Sequence, residues 1–305
     1  MPAGGHADER IIFRSAAFSL MKCKVCKKIR EEGSRKRRIP MAYSAEQVKA
    51  YLARIGLSGE LPLTAETLTR IVSAHYQTVP YENLFILSGT PLDLSPEALF
   101  QKIVLEHRGG FCFELNAALG ELMEGLGFSV THLAARFLRG EPEGIPMRRH
   151  HILLVHLPEG DYLCDAGIMR EASRRALPLV YDRTFSDGMG EYRFQKDPFY
   201  GTVLLQRLFE PEFVPFFGFT MEPQIPADYV MPCFYCEKHP DSPFIKDYMV
   251  GIYTEKGSWN LVGHSLRRLE NGRIAEQRSL QKRSSPASLK RDSGSRKESK
   301  GAFSE

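Results

Sequence analysis

The sequence predicts an α+β fold, a helical first part followed by a β-rich remainder, and three observations carry that reading. Capped segments with apolar residues at helical spacing occupy positions 44 to 127. From Phe128 onward the spacing changes to short aromatic and β-branched runs separated by turn residues. With 43% hydrophobic residues the body can bury a real core, as one large domain or as two to three small ones.

The elements follow in order. Ser44-Ala-Glu-Gln47 reads as a capping box, and Val48, Tyr51, Leu52 and Ile55 recur on one helical face before Gly56 stops it. A second helix follows Thr64, with Leu68, Ile71, Val72 and His75 aligned. Ser95-Pro96 starts a third, serine as cap and proline at the first helical position. The fourth begins at or near Cys112 and runs through Leu115, Leu119, Leu122, Met123 and Leu126 to Gly127. Residues 42–128 are thus expected to be a helical domain. Strands are expected at Val130–Leu138, His151–Leu157 and Asp161–Asp165, the last two joined by Pro158-Glu-Gly160, then at Tyr192–Phe194, Tyr200–Leu208, Val250–Thr254 and Trp259–Val262.

The 305 residues carry 41 Lys+Arg against 37 Asp+Glu, a formal charge of +4 that would suit a polyanion-binding protein. Its distribution removes that reading. Residues 1–41 hold eleven basic and four acidic residues and residues 281–305 seven and three, which leaves residues 42–280 with 23 basic and 30 acidic. The body is acidic, and both ends have the composition of solvated, disordered tails. Arg35-Lys-Arg-Arg38 matches a loose nuclear-localisation pattern, but a solvated tail is the simpler reading, and no nucleic-acid partner is expected. Patterned sequence begins only after Pro40, so Met21 or Met41 is a candidate start.

No run approaches the roughly 18 apolar residues of a membrane-spanning helix, so no membrane partner is expected. The basic run follows the apolar N-terminal stretch, the reverse of a signal peptide. Six cysteines in a chain this long form no disulfide framework, which points to a reducing, cytoplasmic location. Two Cys-x-x-Cys pairs, Cys23/Cys26 and Cys233/Cys236, suggest a four-thiolate zinc site only weakly, one pair lying in a tail; no metal is expected.

The chemistry is concentrated in Arg108-Gly-Gly-Phe-Cys-Phe-Glu-Leu-Asn116. The glycines permit a tight turn, and Cys112 then sits in the first turn of a helix, where partial positive charge and unpaired N–H groups favour a thiolate. An activated cysteine needs an imidazole and a group to orient it. His150 precedes the apolar run Ile152-Leu-Leu-Val155, and Asp165 closes the next strand, so a hairpin would bring those ends side by side.

These residues and spacings resemble the arylamine N-acetyltransferase family, whose cysteine lies in Arg-Gly-Gly-aromatic-Cys-Phe-Glu-x-Asn and whose aspartate lies in Asp-Val-Gly-Phe-Gly. The likeness includes Tyr51-Leu-Ala-Arg-Ile-Gly56, Val79-Pro-Tyr-Glu-Asn-Leu84, Leu94-Ser-Pro-Glu-Ala-Leu-Phe100 and His239-Pro-Asp-Ser-Pro-Phe244, and covers roughly residues 44 to 275. It implies a helical bundle, a central β-barrel (129–225) and a C-terminal α/β lid (226–280), the first two sharing a core with cysteine proteases. It implies Cys112 as acyl-accepting nucleophile, His150 rather than His151 as base, and Asp165 as orienting carboxylate. The donor would be acetyl-CoA, the acceptor a small arylamine, hydrazine or N-hydroxyarylamine, and the setting xenobiotic metabolism.

By the same resemblance Tyr81 and Ile168 line the acceptor pocket, Phe111 packs over the acyl group, and Glu82 with Arg108 forms a buried ion pair bracing the catalytic loop. Two departures stand out. Asp165-Ala-Gly-Ile-Met169 lacks the family's aromatic at Ile168, and the lid continues past Ser279 into a basic, Ser-rich tail rather than a helix, as if truncated. The same triad could therefore serve a thioesterase or transglutaminase-like hydrolase, or belong to a degenerate, non-catalytic member. Nothing in the sequence sets an oligomeric state.

Overall fold

The structure, a computed structural model, describes residues 42–140, 144–208, 211–271 and 273–280, which belong to one compact unit. The two basic tails, with Cys23 and Cys26, lie outside the described residues.

Local chemistry sets the helices. Helix α1 (Ala45–Arg54) opens on a reciprocal cap: Ser44 Oγ accepts from the Gln47 N–H at 3.3 Å, and Gln47 Oε1 accepts from the Ser44 N–H at 3.0 Å. Thr64 caps α2 (Ala65–Thr78), whose Leu68, Ile71, Val72 and His75 are all buried. A short helix, α3 (Leu84–Ser88), follows. Ser95 caps α4 (Pro96–Leu99), which runs directly into a π-helical turn, Phe100–Leu105. That wider turn buries Lys102, a residue no apolar pattern marks. Helix α5 (Cys112–Gly125) is buried on most of its surface, as its position between the other helices and a sheet requires.

The strands divide into two antiparallel sheets. The larger contains β2 (Ser129–Phe137), β3 (His150–Leu157), β4 (Gly160–Cys164), β5 (Leu177–Pro178), β6 (Thr184–Ser186), β7 (Glu191–Asp197), β8 (Gly201–Arg207) and β9 (Val214–Phe219). Their order is β5-β4-β3-β2-β9-β8-β7-β6. Residues 179–183 connect the two edge strands, and Tyr181 bridges to Phe194 of β7, so the sheet curls into a nearly closed barrel.

The smaller sheet has the order β1-β10-β11-β12-β13, from β1 (Tyr81–Glu82), β10 (Met249–Thr254), β11 (Gly257–Val262), β12 (Ser265–Glu270) and β13 (Arg273–Ser279). Its first strand corrects the expectation of a purely helical N-terminal part: Tyr81 and Glu82 pair with Gly251 and Val250. Asn83 fastens the same junction, donating to the Phe244 and Asp247 carbonyls and accepting from the Met249 N–H, at 2.8, 2.8 and 2.9 Å. Helix α6 (Val230–Lys238) leads into this sheet. Strand β9 escapes sequence pattern because proline and glycine interrupt Val-Pro-Phe-Phe-Gly-Phe, and β13 because nearly all of it is exposed and shows no alternation.

Candidate active site

Three elements meet at Cys112: the first turn of α5, the start of β3 and the loop leaving β4. Pairing of β3 with β4 (Leu153 opposite Cys164) sets His150 beside Asp165. The His150 Nε2–H donates to Asp165 Oδ2 at 2.6 Å, and Nδ1 is buried without a hydrogen-bond partner. Phe137 and Phe217 hold the imidazole, with ring centroids at 4.6 and 5.7 Å.

The other carboxylate oxygen is also fixed. Asp165 Oδ1 accepts from Asn116 Nδ2 and from the Gly167 N–H, each at 2.8 Å. Asn116 lies one helical turn after Cys112 and is fully buried, and it also donates to the His151 carbonyl at 2.6 Å and accepts from the Ala166 N–H at 2.8 Å. Asn116 stands in the cysteine motif with no role that the motif itself assigns. The i, i+4 spacing from Cys112 was the available signal, since it puts both on one helix face.

His151 points to the opposite side of β3. It stacks on Tyr229 at 4.3 Å and bonds His132 Nδ1 through Nε2 at 2.8 Å. Burial holds His151 well below the ordinary histidine range and brings His132 to about 4, so both are neutral.

The Cys112 sulfur donates to the Arg149 carbonyl at 3.7 Å. Burial pushes this thiol well above its usual value, with the Cys236 and Asp165 charges adding to the effect, while the backbone at His151 lowers it. A solitary thiolate is therefore disfavoured here; charge separation needs a proton acceptor alongside. Gly167 passes so close that an added Cβ would lie 2.7 Å from Cys112 Cα and 2.9 Å from its Cβ, which explains a glycine there.

Cys112 lies at the floor of a cleft of about 380 Å3 that Tyr81, Ile168, Met169 and Phe244 also line. Ile168 brings no ring to it, but Phe137 and Phe216 of the barrel do. Phe111 corrects an expectation: it is fully buried, outside the cleft lining, packed edge-on against Phe113 and Phe244 at 5.4 and 5.7 Å. Phe111 has extended backbone at the start of α5, and Phe244 rather than Phe111 lines the cleft.

The brace of the catalytic loop is a second correction. Arg108 reaches Glu82 only at 4.0 Å and is 36% exposed, so the pair is not buried. The buried cation is Lys102, 2.7 Å from Glu114 and 3.9 Å from Glu82, with both it and Arg108 lying 4.0 Å over the Phe85 ring. Glu114 Oε2 in turn accepts from the Phe111 N–H at 3.2 Å, which ties the ion pair to the residue before the nucleophile.

Cys233 and Cys236 are free thiols on the buried side of α6; Cys23 and Cys26 lie outside the described residues. Among the described residues no helix is long and apolar enough to cross a membrane.

Known proteins share this arrangement of elements. A family model described as N-acetyltransferase matches residues 64–293. The chain is 35% identical to the arylamine N-acetyltransferase of Mycolicibacterium smegmatis over 227 residues, 73% of this chain and 82% of that protein. The structure of the arylamine N-acetyltransferase from Salmonella typhimurium superposes with a TM-score of 0.74 at 26% identity, covering 78% of this chain and 87% of the other. The Mycobacterium marinum arylamine N-acetyltransferase, solved in complex with CoA, superposes with a TM-score of 0.72 at 30% identity over 77% and 87% of the two chains. The family match spans most of the chain, including the segments that carry Cys112, His150 and Asp165, and on it the chain belongs to the arylamine N-acetyltransferases, a family of acyltransferases.

Proposed function

We propose that this protein transfers an acetyl group from acetyl-CoA to an arylamine, hydrazine or N-hydroxyarylamine by a ping-pong route through Cys112. One observation carries the reading: His150 donates through Nε2 to Asp165 at 2.6 Å and keeps Nδ1 buried and unpartnered, next in sequence to the residue whose carbonyl holds the Cys112 thiol. Asp165 fixes the tautomer, so Nδ1 carries the basic lone pair.

The thiol proton passes to Nδ1, and the resulting thiolate–imidazolium pair cancels the charge that burial penalises. The thiolate attacks the thioester carbonyl, CoA leaves, and the amine takes the acetyl group from the cysteine. A cysteine-bound acyl group is itself a thioester, so little driving force is lost between the two halves. N–H groups at the start of α5 and at His151 support the oxyanion. Tyr81, Ile168 and the rings of Phe137, Phe216 and Phe244 receive the acceptor. CoA binding by a family relative supports CoA as the carrier here. The free thiols support a reducing, cytoplasmic setting.

Intact-mass measurement after mixing with acetyl-CoA tests this. One acetyl adduct on Cys112 is expected, discharged by an arylamine; a Cys112→Ala protein that acetylates an arylamine at full rate would overturn it. CoA release independent of amine would favour the hydrolase reading instead.

A further inference from the structure

The β3–β4 hairpin carries a second imidazole–carboxylate pair. His150 and His156 are six residues apart on β3, so they share one face of the strand at about 20 Å along it. His156 lies opposite Ser129 of β2 and Asp161 of β4, at the turn end of the hairpin, whereas His150 stands at its open end. Its ring bridges all three strands: Nδ1 bonds Asp161 Oδ1 at 2.7 Å, and Nε2 bonds Thr131 Oγ1 at 2.8 Å. The partners set the proton positions. A carboxylate only accepts, so Nδ1 carries the hydrogen, and the Nε2 lone pair accepts from the Thr131 hydroxyl. Hydroxyl to Nε2 and Nδ1 to carboxylate is the bonding order of serine hydrolases, and it reverses the His150 ring, whose Nε2 faces Asp165. His150 is fully buried, but the side chains of His156 and Asp161 are 37% and 40% exposed, and Thr131 is half-buried.

We propose that Thr131, His156 and Asp161 form a second acyl-accepting site, an esterase for small aryl esters that works without Cys112. His156 Nε2 takes the hydroxyl proton as Thr131 Oγ1 attacks the ester carbonyl. The Oγ1–C bond forms, the bond from the carbonyl carbon to the aryloxy oxygen breaks, and the proton leaves with the phenol. Water then attacks the acyl-threonine: its oxygen bonds to the carbonyl carbon, the Oγ1–C bond breaks, and one water proton returns to Thr131 through His156 as the acid leaves. One ester and one water thus give one phenol and one carboxylic acid, while Asp161 holds the imidazole in the tautomer that both steps use.

Position sets the substrate class. The three side chains lie outside the lining of the Cys112 cleft, at an exposed strand end that offers little surface to a large substrate. Reactivity must then come from the acyl donor, and a phenolate leaves readily without an acid to protonate it. Exposed Glu159 in the turn adds its charge to that of Asp161, which disfavours a polyanionic donor such as CoA and favours a neutral ester.

The test runs in the full-length Cys112→Ala protein, so its outcome is separate from any failure of acyl transfer through Cys112. Release of 4-nitrophenol from 4-nitrophenyl acetate is followed over time. Cys112→Ala is expected to release it past one equivalent per chain. Adding Thr131→Val or His156→Gln is expected to lower the rate at least about tenfold, while adding Thr131→Ser keeps it. Release that survives Thr131→Val but falls with His156→Gln would make the imidazole itself the nucleophile and overturn the proposal. Equal rates in all the variants, or release that stops at one equivalent, would overturn it too. Should Thr131→Val fail to fold, an acid-quenched peptide map of the Cys112→Ala protein decides: acetyl on Thr131 supports the site, and its absence sinks it.

Discussion

Asn116 donates to Asp165 Oδ1 at 2.8 Å from the same helix that carries Cys112, so the nucleophile's own helix aims the carboxylate that aims the imidazole. Loss of that amide leaves the Asp165 and Ala166 loop held from one side only. Asn116→Ala is expected to lower kcat/KM for acetyl transfer by about 10- to 100-fold, on the scale of a supporting hydrogen bond, and to destabilise the fold by about 1–3 kcal/mol. Steady-state kinetics with a urea titration checks both. Unchanged kinetics in a destabilised protein would reduce Asn116 to a packing role.

Gly167→Ala adds a single methyl against Cys112. The nearest atoms are Cys112 Cα and Asn116 Nδ2, both at 2.7 Å, with backbone among them, so the chain must move rather than a side chain yield. Alkylation of Cys112 by iodoacetamide is expected to slow at least about tenfold as the thiol shifts from its cleft-facing position. A tryptic map of the alkylated protein reads it directly.

Lys102 and Arg108 provide a contrast between two cations near the same carboxylates. Lys102→Met strands Glu114, a buried carboxylate, and is expected to cost about 3–5 kcal/mol. Arg108→Ala removes a half-exposed cation 4.0 Å from Glu82 and should cost under about 1 kcal/mol. Chemical denaturation of the two variants side by side checks the order, which a buried Glu82–Arg108 pair would reverse.

Glu121 and Glu124, on the far half of α5, give stability a dependence on pH. Burial raises both carboxyls from an ordinary 4.5 to about 7, with the Glu124 and Glu97 charges adding to the rise at Glu121. The folded state therefore holds protons that the unfolded chain releases. The stabilisation is complete below pH 4.5 and is lost as pH rises through about 7. After allowance for partial solvent screening, each contributes on the order of 1 kcal/mol. Glu121→Gln is expected to flatten the decline and raise Tm by about 2–4 °C at pH 8, measurable by calorimetry across pH 5 to 8.

The site was legible in the sequence to the extent that it is local. The cap at Ser44, the proline after Ser95 and the glycines before Cys112 are short-range signals, and each stands where its chemistry requires. The His150–Asp165 register followed from a hairpin whose turn and apolar run could both be read. What escaped was set by distance in the chain. Lys102 looks like a surface lysine until a π-helical turn rotates it inward, and Phe244 reaches the cleft only because a segment more than a hundred residues later folds over α5. Arg108 seemed the natural partner of Glu82 because it adjoins the glycines, yet the aromatic plate of Phe85 receives it at the rim.

The two-residue strand β1 gives the protein a schedule during synthesis. Tyr81, a wall of the cleft, and Asn83 are held by partners between residues 244 and 251, more than 160 positions downstream. The ribosome adds about 5–20 residues per second, so about 7 to 27 seconds separate the emergence of Cys112 from that of the strand that completes its enclosure. During that interval a nascent chain carries its nucleophile without the cleft around it. A chain halted before β10 would leave Tyr81 bridged to Gly110 alone, without its β10 partner, which makes the arrival of β10 the event that completes the wall of the cleft.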